Sequence, residues 1–210
     1  VKGNRLLLVL VLLVLAFSRV PGLLPPNFSA VYAFAFCAGV FLRGPLAWWL
    51  PLGFLLVTDL GLNFYYLSQG MDVFTPDKLR YLLANYGGYV GLIWLGRRFR
   101  ARDNFLTLLG GGLLGALLFY VVTNTVAWLF NPFHNPEYLK TLVGWIIALT
   151  KGTAGYPPAW EFFRNTLLGG GIFTALFVAA HRWVSSESPA DKGEPAENAP
   201  ADAEPEESAA

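Results

Sequence analysis

From Asn104 to Phe130 the chain runs without a single charged side chain. A stretch of that length must satisfy its backbone N–H and C=O groups internally if it sits in hydrocarbon, so it reads as a membrane helix. Similar runs recur along the body: Arg5–Val20, Phe28–Leu42, Leu46–Leu67, Tyr81–Leu95 and Phe162–Ala180. Pro/Gly loops, charged clusters or polar loops separate them, among these Pro21–Asn27, Arg43–Pro45, Ser68–Arg80 and Arg97–Arg102. The expected fold is all-α, with six transmembrane helices. The short run Leu139–Thr150 is placed as an interfacial or re-entrant helix in the fifth loop. Segments two and four are shorter than the roughly 20 residues that an untilted span needs, so they must borrow flanking residues.

Composition agrees. A hydrophobic fraction of 55% with only 14% charged residues and a mean hydropathy of +0.47 is too apolar for an ordinary soluble domain. Charge also divides the chain. Eight of the 14 acidic residues lie from Glu187 onward against Lys192 alone, giving that tail a net charge of −7. Residues 1–186 hold the other 14 basic residues and six acidic ones, a net +8. This predicts a transmembrane domain over 1–186 and an acidic, disordered cytoplasmic tail over 187–210. The basic residues flank apolar runs instead of clustering on a soluble face, so no nucleic-acid partner is expected. Leu6–Phe17 is read as an uncleaved first span, because no A-x-A site follows it.

Orientation follows from the short loops. Alternating them puts Arg43, Arg97, Arg98, Arg100, Arg102 and Arg182 on one side with Lys2 and Arg5. The other side has Arg19, Lys78, Arg80, Lys140, Lys151 and Arg164 spread over longer loops. The positive-inside rule makes the first side cytoplasmic, and both termini fall there. Trp48, Trp49, Trp94 and Trp183 then lie at the inner interface, with Trp128 and Trp160 at the outer one.

Polar residues concentrate in the outer half. At 1.5 Å per residue, Asp59 stands roughly 20 Å above the inner start of its segment. Asn63 and Tyr66 follow on the same helical face. Asn85 and Tyr86 open segment four, Thr123, Asn124 and Thr125 lie late in segment five, and Glu161, Arg164 and Asn165 begin segment six. An ionisable group inside a span is costly and normally shielded. Two readings stay open: a solute pocket, or internal glue in which Asp59 pairs with Arg164 or bonds Asn124. Glu161 and Arg164, one turn apart, also read as a plain interfacial pair.

Ala35-x-x-x-Gly39, Gly110–Ala116 and Gly169–Gly171 allow close backbone approach, either within the bundle or as a docking face. No H-E-x-x-H or G-x-S-x-G pattern is present, and neither His134 nor His181 has an obvious triad partner. His134 with Glu137 offers too few ligands for a metal site, and Cys37 stands alone as a small buried hydrophobe. The chain therefore reads as a non-enzyme, without metal or cofactor.

The stretch Pro25-Pro-Asn-Phe-Ser-Ala-Val-Tyr-Ala-Phe-Ala-Phe-Cys-Ala-Gly39, continuing to Asp59-Leu60, resembles an uncharacterised family of bacterial membrane proteins. Its layout is in turn similar to the substrate-binding S components of energy-coupling-factor (ECF) vitamin transporters. That likeness implies a multi-pass protein of the bacterial inner membrane, with a site near the outer face roofed by the first, third and fifth loops. Carried over, it puts Pro25, Asn27 and Phe28 at the lip of the site and Asp59 beneath. Ala16 is the only small residue of the first helix that could serve the usual Ala-x-x-x-Ala docking pattern.

The expected function is capture of a small micronutrient-like solute. Asn27, Asp59, Asn63, Asn85 and Asn124 would serve as polar anchors, Tyr66 and Tyr86 as walls, and the Gly/Pro loops as moving parts. A transmembrane coupling subunit and ATPases would be separate partners within membrane lipid. The alternative is a structural or accessory subunit of a larger membrane complex.

Overall fold

Val31–Phe41 contains no polar residue other than its tyrosine and cysteine, so it offers no solvent face on any side. In the computed structural model, which describes residues 2–186, this segment is the central helix. Every residue from Val31 to Gly39 is buried. Seven helices make up the described chain: α1 Lys2–Phe17, α2 Val31–Phe41, α3 Leu46–Ser68, α4 Pro76–Gly96, α5 Phe105–Phe130, α6 Leu142–Thr150 and α7 Ala159–Ser186. The central α2 touches α1, α3, α4, α5 and α7. Helices α4, α5 and α7 close round it, α1 and α3 sit at the edges, and the short α6 lies against α5 and α7. No strand occurs among the described residues. The acidic tail expected over 187–210 lies outside them.

Helices α3, α5 and α7 are long and apolar enough to cross a membrane, and α1 and α2 are apolar but shorter. The chain thus has the make-up of an α-helical membrane protein. Several boundaries depart from the sequence expectation, among them those of α1, α2, α4, α6 and α7. Helix α4 starts at Pro76, not Tyr81, because Thr75 caps it, accepting from the Lys78 N–H at 3.4 Å, with Pro at the first helical position and Asp77 in the first turn. That polar turn carries little hydropathy, so an apolar run does not find it. Helix α1 stops at Phe17, three residues before Val20, as the backbone turns through Ser18 and Arg19.

Small residues set the helix spacing. A Cβ on Gly39 of α2 would run into the Ile93 carbonyl, and one on Gly96 of α4 into the Phe36 carbonyl. Gly112 is closed off by Thr174, Gly115 by Leu92 and Gly170 by Ala116. The three small-residue patterns therefore pack helices of this chain together, where dispersion between closely approaching backbones replaces the hydrophobic effect.

The loops gather at two poles. At one, Phe41 at the end of α2 stacks on His181 near the end of α7, 4.1 Å between ring centroids. Arg182 there donates to the Asp103 carbonyl at 2.6 Å, and Arg98 lies over the Trp94 ring at 4.2 Å. At the other, Asn165 at the start of α7 donates to the Pro26 carbonyl in the first loop at 2.9 Å. Thr75 and Lys78, Pro132 and Tyr138, and Gly152 and Tyr156 line one cavity at this second pole.

Candidate functional site

The loop between α1 and α2 is built by its own polar side chains. Ser18 ends α1 by donating its hydroxyl to the Leu15 carbonyl at 2.8 Å, and it accepts the Ala30 N–H at 3.1 Å. Its Oγ lies 3.3 Å from the Ser29 Oγ, so one serine joins both ends of the loop. Asn27 sits at φ +62°, a left-handed conformation that asparagine tolerates better than most residues. Gly169 leaves room for the Ser29 backbone against α7, and Phe28 packs on Phe173 with ring centroids 5.6 Å apart. The Pro-Pro-Asn-Phe-Ser stretch is thus fastened to α7, although Pro25, Pro26 and Asn27 are exposed, as are Pro21, Gly22 and Leu23.

Just beyond Ser18, Arg19 turns inward. Its guanidinium forms an ion pair with Asp59 of α3, and both side chains are nearly buried, at 11% and 10% exposure. The second Asp59 oxygen accepts the Tyr86 hydroxyl of α4 at 2.8 Å. Tyr89, one turn further along α4, accepts a hydrogen bond from the same guanidinium. The Arg19 Nε is enclosed and has no acceptor among the described residues. This network faces a cavity of about 580 Å³ under the first loop. Its walls are Arg19 and Ser18, the loop itself, Tyr32 of α2, Leu62 and Tyr66 of α3, and Tyr89 of α4.

The candidate residues from the sequence are not all brought together. Asn27 and Tyr66 line this cavity. Asp59 and Tyr86 stand behind its wall, joined to it through Arg19. Asp59 pairs with neither Arg164 nor Asn124, correcting both pairings considered from the sequence. Arg164 instead lies over the Trp160 ring at 5.4 Å and reaches Asn165 Oδ1 at 3.4 Å, without an ion pair to Glu161. Asn63 is half-buried on α3 and lines neither cavity at this pole. Asn85 bonds Tyr81 on its own helix.

Asn124 donates to the Tyr120 carbonyl at 2.9 Å and faces the other cavity. That space, about 740 Å³, lies between the fifth loop and the starts of α4 and α7. His134 lines it at φ +54°, with Lys78, Asn135, Tyr138 and Tyr156. Glu137 accepts the Ala154 N–H at 3.0 Å, which ties the two halves of the fifth loop together. No group of three or more His, Cys, Asp or Glu residues suited to a metal occurs among the described residues.

Arg19 is the residue that reading for span polarity passes over, since it counts only as an outer flank. The signal was available: a lone cation directly after an apolar helix needs a counter-charge at its depth, and Asp59 is the acidic residue of the nearest span interior. No curated protein and no solved structure matches the chain. A family profile does, over residues 2–191, and the chain belongs to DUF6580, a family of unknown function.

Proposed function

We propose that the protein captures a small solute in the cavity under the first loop, as the binding subunit of an uptake system. The observation that carries this reading is the Arg19 guanidinium, held by Asp59 yet lining a 580 Å³ space. A guanidinium presents five donors, and the described residues take up only part of them. Aromatic walls with convergent polar groups, here Tyr32, Tyr66 and Tyr89 beside Arg19 and Asn27, are features of small-molecule sites. Asp59 is then a positioning group, and Arg19 is the anchor that meets the solute.

In this reading the chain crosses the inner membrane six times with both termini inside, and α6 lies in the fifth loop near the outer interface. The layout is that expected of an ECF-type S component, and a coupling subunit with ATPases would supply the energy. Helix α1 carries exposed Leu6, Leu10, Leu13 and Phe17 for such a partner or for lipid. The movable part of the lid is the exposed Pro21–Leu23 stretch, since Pro25–Ser29 is fastened to α7. A thermal-shift screen of small nutrients on the detergent-solubilised protein tests capture, because a ligand that binds the folded state raises its melting temperature. A parent protein that responds to no compound would count against it.

A second reading, an accessory subunit of a larger complex, has its own observation. Gly87 and Gly91 of α4 stand four residues apart, both exposed, with open space where a Cβ would project. Such a pair is a helix-docking pattern in membranes. Gly87→Leu releasing a co-purifying protein would favour this reading, and an unchanged complement would remove it.

A further inference from the structure

The charge balance of the cavity says what kind of solute fits it. Arg19 and Asp59 are the charged groups of the network, and they neutralise each other directly. Among the other residues lining the cavity none is ionised at neutral pH. A carboxylate or phosphate brought to Arg19 would sit beside Asp59, and like charges at short range disfavour each other. A cation would meet the guanidinium instead. An uncharged acceptor avoids both penalties and can still accept from a guanidinium donor.

Shape adds a second constraint. Tyr32, Tyr66 and Tyr89 come from three different helices, and Phe28 from the lid, to the same 580 Å³ space. Tyr89 stacks on Phe119 with centroids 5.0 Å apart and planes 17° from parallel, and Tyr32 packs on the same ring at 5.0 Å. Both rings are therefore fixed from behind. Rigid aromatic walls favour flat ligands through offset or edge contacts.

Resting on the capture reading above, we infer that the solute is a neutral, planar heteroaromatic compound whose acceptor edge, a carbonyl or ring nitrogen, is taken by Arg19. The tyrosine rings hold its faces. Asp59, itself bonded by Tyr86, holds the guanidinium, Tyr89 meets it from α4, and its planar fork suits a planar acceptor array better than a single point charge does.

Matched probe pairs test this: nicotinamide with nicotinate, uracil with orotate, and pterin with pterin-6-carboxylate, titrated by calorimetry into the full chain in lipid nanodiscs. The expected result is that at least one neutral member binds, at least tenfold more tightly than its carboxylated counterpart. Arg19→Lys keeps a cation opposite Asp59 but loses the planar fork, so it should stay folded by thermal melt and lose at least tenfold in that affinity. Tighter binding of the carboxylates would overturn the neutral-ligand inference while leaving capture standing. Binding unaffected by Arg19→Lys would overturn the role of the guanidinium. If no probe of either kind binds, the heteroaromatic class is wrong. The broader nutrient screen then separates that result from failure of capture itself.

Discussion

Arg19, two residues past the end of α1, and Asp59 in the middle of α3 join two edge helices that both touch the central α2. Neither helix is packed heavily against the rest, so the ion pair is a main tie between the first loop and α3. Asp59→Asn leaves Arg19 nearly buried without its counter-charge. Removing one partner of such a pair costs about 3–5 kcal/mol. Asp59→Asn and Arg19→Ala should therefore both lower the unfolding temperature in detergent, and Asp59→Asn should do so without any ligand present. The double variant Arg19→Met/Asp59→Leu should recover much of the loss, because an apolar pair needs no compensation. A single Asp59→Asn as stable as the parent would show that the pair does not bear on stability.

Gly39 and Gly96 predict a contrast within the same residue type. A Cβ at either position meets backbone carbonyl of the facing helix, which cannot step aside as a flexible side chain can. Gly39→Ala and Gly96→Ala should each push α2 and α4 apart and cost on the order of 1–3 kcal/mol, the range for overpacking. Gly53→Ala and Gly61→Ala on α3 meet open space and should be neutral or mildly stabilising. Melting curves of the four variants decide it, and equal effects across all four would remove this account of the α2–α4 contact.

Tyr120 links three parts of the second pole. Its hydroxyl lies 3.0 Å from the Leu149 carbonyl at the end of α6 and 2.8 Å from the Ala159 carbonyl at the start of α7. One proton serves both, and Tyr120→Phe leaves both carbonyls without it. The expected cost is about 1–2 kcal/mol, felt mainly as faster hydrogen exchange over residues 151–158. Unchanged exchange in that loop would mean the tyrosine contributes packing alone.

Hydropathy made the helices legible because lipid-facing segments must be long, apolar and internally bonded. It failed where a helix begins in water, as in the Thr75–Lys78 turn of α4. A short helix in the fifth loop was readable for a different reason. Leu139–Thr150 is too short to span, and its N-cap Thr141, accepting from the Gly144 N–H at 3.1 Å, fixes its start. Depth along each helix put Asp59, Tyr86, Asn85 and Asn124 at one level, but depth carries no information about which way a side chain faces. Rotation about the axis sends Asn124 to one cavity and sets Asp59 and Tyr86 behind the wall of the other, which Leu62 lines and Asn63 does not. Only packing fixes that rotation, and packing here depends on Gly39, Gly96, Gly112 and Gly170.

Sidedness yields the last prediction. Arg97, Arg98, Arg100, Arg102 and Arg182 collect at the pole where Arg182 meets the Asp103 carbonyl, and Asp103 accepts the Arg100 N–H at 2.8 Å. The opposite pole mixes signs: Asp59, Asp72, Asp77, Glu137 and Glu161 accompany Arg19, Lys78, Arg80, Lys140, Lys151 and Arg164. Short basic loops are retained on the cytoplasmic side during insertion, whereas long mixed loops are translocated largely regardless of charge. Reporters fused after Arg102 and after Ala210 should therefore both read cytoplasmic, and one inserted at Gly155, an exposed turn at φ +84°, should read external. Swapping the bias tests the cause. Replacing Arg97, Arg98, Arg100 and Arg102 by Gln should give mixed readings at Gly155, because the remaining charges no longer favour one side strongly. A cytoplasmic signal at Gly155 in the parent would overturn both the orientation and the six-span count, and would place the Arg19 cavity on the wrong side for uptake.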